Sequence, residues 1–174
     1  GSTRLLITGL QRKAAARSSI VLIDEVEHGL EPHRIMRLIT SMGAKEATPP
    51  LQVFMTTHSP VALRELSATQ LHVLRRSSAD GSHGLQLIGG QDEMQSTVRA
   101  CPEAFLSEAV IVCEGASEIG LLRGLDLYRI QENKPLIAAR GVALADGHGD
   151  TTFRRANSFV ALGYRTLVLR DDDK

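Results

Sequence analysis

Tryptophan is absent from this 174-residue sequence, and the aromatics amount to two Tyr and four Phe. Base stacking on aromatic platforms is therefore an unsuitable mode of nucleic-acid binding, and the core is expected to be aliphatic. Charge of one sign is lacking too: 20 Lys and Arg balance 20 Asp and Glu. That balance excludes a strongly basic nucleic-acid binder and a phosphate footprint spread over the whole chain, though not a local one. The cations are mostly Arg, the better bidentate partner for phosphate. Two cysteines, Cys101 and Cys113, are too few for a disulfide framework and sit in no ligand cluster, which fits a reduced, cytoplasmic setting. Apolar runs such as Ile20 to Ile23 and Ala109 to Cys113 are short. A membrane span needs about 20 residues, so no membrane partner is expected. The chain opens with no signal peptide, and Gly1-Ser2 reads as a cloning remnant. Internal repeats and long low-complexity stretches are missing as well.

What remains is an ordinary folded composition, 43% hydrophobic, at a length suited to one mid-sized domain or two small ones. Short apolar strands alternate with helical segments, the pattern of a parallel α/β fold. Residues 4–17 carry Leu5, Leu6, Leu10 and Ala14 at helical spacing. Strands are expected at 19–23 and 51–55, with a helix opening at Pro32 and running to Met42, and a short one over 61–66. A hairpin is expected from 71–75 and 85–88, joined by the turn-rich 77–84. Gly89-Gly90 and the polar stretch after it read as a boundary. The pattern restarts with a strand at 109–113, a helix at 117–128, a strand within 136–144, a turn at 147–150, a helix at 151–162 and a strand at 166–169. Two α/β units are expected, 1–104 and 105–174.

The first chemical constellation lies at the end of the first strand, where Ile23 gives way to Asp24-Glu25. In a parallel sheet this is the carboxyl edge, where ligands bind. Adjacent carboxylates there suit nucleotide–metal chemistry: one orients Mg²⁺, the other polarises the water that attacks a γ-phosphate. The plain alternative is a pair of solvated carboxylates. The run Ile20-Val21-Leu22-Ile23-Asp24-Glu25-Val26-Glu27-His28-Gly29-Leu30-Glu31-Pro32 resembles the Walker B strand and D-loop of ABC-type ATPases. Within that superfamily it is most similar to the RecF and OLD (overcoming-lysogenisation-defect) branch. Leu51 to Pro60, with Thr56-Thr57-His58-Ser59-Pro60, resembles the next strand and its switch histidine. The resemblance implies Asp24 for metal, Glu25 as general base and His58 as the γ-phosphate switch. A glycine-rich loop with Lys-Ser/Thr, needed to cradle phosphates, is not found, and no Gly-Lys dipeptide occurs anywhere. These residues alone are therefore expected not to turn over ATP.

The second constellation is Glu114, Glu118, Asp171 and Asp173. Glu114 ends one strand, Glu118 falls in the first turn of the next helix, and Asp171 and Asp173 follow a later strand on one face. Should the two strands be neighbours, four carboxylates converge, and such a cluster calls for a divalent cation. Oxygen-only ligation selects Mg²⁺ or Mn²⁺. Two such ions would clamp the attacking and leaving oxygens of a phosphodiester. The alternative is a solvated acidic terminus. The strand, Glu-Gly-x-x-Glu and helix of 109–121 resemble the opening of a Toprim domain, and 166–174 resembles its Asp-x-Asp strand. Ala145-Asp146-Gly147-His148-Gly149-Asp150 resembles the intervening glycine turn.

ATPase motifs followed by Toprim motifs resemble the OLD-family nucleases, an order shared by the Gabija antiphage nucleases. The resemblance implies the C-terminal half of an ABC-type ATPase followed by a truncated Toprim Rossmann-like domain. It implies an ATP-regulated, Mg²⁺- or Mn²⁺-dependent DNA endonuclease, acting as a homodimer or higher oligomer in DNA repair or antiphage defence. Glu25, Glu114 and Asp171 would be catalytic, Asp24, Glu25 and His58 nucleotide-binding, and Glu114, Glu118, Asp171 and Asp173 metal-binding. The family pattern continues past the position of Asp173 with a further acidic ligand and a basic residue, so the metal site is expected to be incomplete in this chain. Two rivals stay open: a RecF-like DNA-binding ATPase without nuclease activity, and a Toprim topoisomerase or primase module. His148 is expected to serve a turn, and Arg154 and Arg155 either hold DNA phosphate or form a solvated face.

Overall fold

The computed structural model describes residues 20–49, 51–77, 80–90 and 92–172. The helix expected at 4–17 lies outside these. The rest packs as two compact units, one ending at Ser67 and the other beginning at Ala68. In the first, β1 (Ile20–Ile23) pairs in parallel with β2 (Gln52–Met55), in the register Ile20↔Gln52 through Ile23↔Met55. A parallel pair needs a crossover, supplied here by α1 (Pro32–Ser41). Proline at the first turn starts this helix, and Ile35, Leu38 and Ile39 bury one face. They meet α2 (Pro60–Glu65), which buries Ala62 and Leu63. The opposite sheet face is open: Ile20, Leu22 and Phe54 are 60, 76 and 55% exposed.

In the second unit, β3 (His72–Arg76) and β4 (His83–Leu87) form an antiparallel hairpin, followed by α3 (Asp92–Ala100). A three-stranded parallel sheet comes next, in the order β6-β5-β7, built from β5 (Ala109–Cys113), β6 (Val142–Asp146) and β7 (Arg165–Leu169). The connecting helices are α4 (Ala116–Gln131) and α5 (Thr152–Ala161). Helix α5 buries Thr152, Arg155, Ala156 and Phe159, a single stripe at helical spacing. It ends in a Schellman turn. Gly163, at φ +76°, donates its N–H to Val160, and Tyr164 donates to Phe159. The accompanying hydrophobic contact is Tyr164 edge-on to Phe159, with centroids 5.5 Å apart.

Several sequence expectations need correcting. The first unit is aliphatic inside, as expected, but the second is built on Phe105, Phe159 and Tyr164, which gather their rings within 5.0–6.3 Å. Three of the six aromatics are gathered at this one point. The polar stretch after Gly90 is no linker: α3 buries Thr97 and Val98 and packs on α5. The expected 104/105 division also differs from the packing. Arg75 of β3 lies over the Tyr164 ring, 3.8 Å from its centroid, and Gln86 of β4 donates to the Ala161 carbonyl at 2.9 Å. Those contacts bind the hairpin to α5 and to the turn that follows it, and the compact unit starts at Ala68. Strand β6 runs two residues past the expected stretch 136–144, to Asp146, and is preceded by Ala138–Arg140, a 3-10 turn closed by left-handed Gly141.

Candidate functional site

Parallel, in-register pairing of β1 and β2 ends both strands at the same edge, so the loops 24–31 and 56–59 emerge side by side. They are stitched together. Thr56 donates its N–H to Ile23 at 2.9 Å and accepts from Val26 at 3.0 Å. Its hydroxyl donates to Asp24 Oδ1 at 2.5 Å and accepts from the Glu25 N–H at 2.8 Å. Glu25 sits at φ +47°, a left-handed conformation unusual for a non-glycine residue. Its carboxylate is exposed and lies 3.6 Å from His28 Nδ1. His58 is exposed as well, while its backbone N–H donates to Glu27 Oε1 at 2.6 Å. The other Glu27 oxygen accepts from the Thr57 hydroxyl, also at 2.6 Å. Burial pushes the Glu27 carboxyl up, but the Thr57 hydroxyl, the His58 amide and the field of His58 outweigh it and hold the group below the usual glutamate range.

Asp24, Glu25 and the backbone of His58 thus belong to one hydrogen-bonded edge. Thr56, Thr57 and Glu27 were missed by sequence reasoning as site residues. The signal for Thr56 was available, since it follows β2 as Asp24 follows β1. No spacing rule marks Glu27, whose partners are 30 and 31 residues away.

In the second unit, β5 and β7 are neighbours, with Cys113 opposite both Asp146 and Leu169 at the carboxyl edge. Glu114 follows, half-buried, its N–H bonded to Leu169 and its carbonyl accepting from Gly149. Glu118 is only 8% exposed, and its Oε2 accepts the Gly115 N–H at 2.7 Å, capping its own helix from position N3. Asp171 and Asp172 are exposed, and Asp173 lies outside the described residues. Among the described residues no three His, Cys, Asp or Glu side chains are grouped to hold a metal ion. Glu118 is turned to its cap, and Asp171 lies two residues past the end of β7. Burial pushes the Cys113 thiol up, and the charges of Glu118 and Asp146 add to this.

The glycine turn beside this edge is tightly locked. His148 and Gly149 are both left-handed, at φ +53° and +58°. The His148 N–H donates to Asp146 Oδ1 at 2.8 Å, and the Thr152 hydroxyl to the Gly149 carbonyl at 2.6 Å. Arg155 is buried and donates through Nη1 to the Asp146 carbonyl. The two readings offered for it, phosphate contact or solvated face, both give way to this inward role. Arg154 stays exposed.

Residues 1–64 match a family model described as "AAA domain, putative AbiEii toxin, Type IV TA system". The match takes in Asp24, Glu25, Glu27 and His58 and supports an ABC-like ATPase for this segment.

Proposed function

We propose that the first unit is the nucleotide-hydrolysis edge of an ABC-type ATPase and that the second is a Toprim-like unit acting on DNA, as in OLD-family endonucleases. The observation that carries the reading is the joined edge at the ends of β1 and β2, where Asp24, Glu25 and the His58 loop share one hydrogen-bond network. The oxygen-rich donor set fits Mg²⁺–ATP. When bound, that group supplies the γ-phosphate to be attacked. Asp24, with one oxygen taken by Thr56, keeps the other for the hydrated metal. Glu25 stands exposed at the edge, where a carboxylate can take a proton from water. His58 senses the terminal phosphate.

For the nuclease half the support is narrower. It consists of the motif order and the adjacency of β5 and β7, which puts Glu114 next to the chain leading to Asp171. Glu114, Glu118, Asp171 and Asp173 remain the proposed Mg²⁺ or Mn²⁺ ligands. The described three are not gathered around a point, so no chemical step is derived through a metal there. DNA and a second copy of the chain are the proposed partners.

One preparation of the full-length protein tests both halves. ATP hydrolysis is expected to fall at least about a hundredfold in Glu25→Gln. Mn²⁺-dependent nicking of supercoiled plasmid is expected to vanish in Asp171→Ala. Nicking unaffected by Asp171→Ala, with ATPase activity intact, would favour a DNA-binding ATPase without nuclease chemistry.

A further inference from the structure

Within the stitched edge of the first unit, the bonds divide into two sets. Asp24 and the Glu25 N–H are tied to the Thr56 hydroxyl. Thr57 and His58 are tied to Glu27. One carboxylate bridges two successive residues, a hydroxyl on one and a backbone N–H on the next, each at 2.6 Å. Charge-assisted bonds of this length are among the stronger ones, and engaging both oxygens fixes the carboxylate plane. The same Thr57 hydroxyl accepts the Ser59 N–H at 3.0 Å, immediately before α2 begins. The peptide between Thr57 and His58 is therefore held from both sides, and with it the direction in which the imidazole leaves the chain.

Glu27 follows the acid pair on the same short loop. Its neighbour Val26 is fully buried and bonds back to Thr56. The loop is thus anchored, and Glu27 reaches across from a fixed base. We propose that Glu27 is a positioning residue for nucleotide hydrolysis, a latch that sets His58 relative to Asp24 and Glu25. The inference rests on the ATPase reading above and adds to it a residue that acts through His58.

A glutamine at 27 keeps the shape but offers only one acceptor atom. Its amide N–H₂ would face either the His58 N–H, donor against donor, or the Thr57 hydroxyl, which would have to give up its own donation; in both cases the charge behind the two bonds is lost. In the full-length protein, Glu27→Gln is expected to lower kcat for ATP hydrolysis about tenfold while leaving KM for ATP within about threefold. His58→Ala should be similarly slow. The double variant should be no slower than His58→Ala alone, because the latch acts through that residue. Thr57→Val should lower kcat and Thr57→Ser restore it, with thermal unfolding followed for every variant. A wild-type kcat in Glu27→Gln overturns the latch. So do multiplicative effects in the double variant, or losses that track unfolding rather than kcat. If wild-type protein hydrolyses ATP and Glu25→Gln does not, such a failure belongs to the latch alone. A wild-type protein that neither binds nor hydrolyses ATP overturns the ATPase reading and the latch together.

Discussion

At the scale of single residues, Glu27 makes a prediction about stability as well as rate. Its folded-state pKa is lowered: burial opposes ionisation, but the Thr57 and His58 hydrogen bonds and the His58 field prevail. A group depressed on folding stabilises the fold above its unfolded value, and that contribution disappears as pH falls through the folded value. The stability gap between wild type and Glu27→Gln, measured by urea unfolding, should therefore be constant near neutrality. It should close as the pH drops below about 4, where the unfolded glutamate itself protonates. A gap that persists unchanged to pH 2 would show that the charge is not what holds the loop. Glu118 illustrates a role that was legible. Its Oε2 caps its own helix through the Gly115 N–H, and the sequence held the sign, since N3 glutamate is a capping position.

At the scale of elements, the edge of the second sheet is shaped by the turn after β6. A Cβ at Gly147 would lie 2.7 Å from the Cys113 carbonyl oxygen and closer still to the Thr152 hydroxyl. Both are fixed, one by the central strand and the other by the start of α5. Gly147→Ala is thus expected to destabilise the unit by about 2 kcal/mol or more, read as a drop in chemical-denaturation midpoint with an unchanged slope. The same scale shows what could be read in advance. Strand β5 was legible to the residue because Ala109 to Cys113 is one unbroken apolar run between polar neighbours. Helices α1 and α5 were legible from their apolar spacing. Helix α3 was not, because its buried face includes Thr97, whose hydroxyl folds back onto the Glu93 carbonyl at 2.8 Å and so enters the core without apolar lettering. In the candidate site, Asp24, Glu25 and His58 could be named from strand ends. Glu27 and Thr57 could not, since what makes them partners is the register of β1 on β2.

At the scale of the whole molecule, the division after Ser67 follows from long-range contacts that no local pattern carries. The Arg75 guanidinium on the buried Tyr164 ring, with the Tyr164 hydroxyl bonded to the Phe105 carbonyl at 2.7 Å, ties the hairpin, the 3-10 turn Pro102–Leu106 and the sheet into one cooperative body. Burial raises the Tyr164 pKa, partly offset by Arg75, so the phenol stays protonated through the neutral range. Arg75→Ala should accelerate amide exchange in β3, β4 and β7 together while leaving β1 and β2 as they were. Faster exchange confined to the hairpin would place the division elsewhere.

The backbone at Glu25 bears on how such a protein decays over generations. Left-handed positions suit asparagine or glycine better than glutamate, so the proposed base occupies a place the main chain would rather give to another residue. Lineages released from the need to hydrolyse nucleotide can drop that carboxylate with no penalty to folding. Well-folded but silent descendants, with Asn or Gly at this point and the Thr56 bonding intact, are the form in which lost activity should be met.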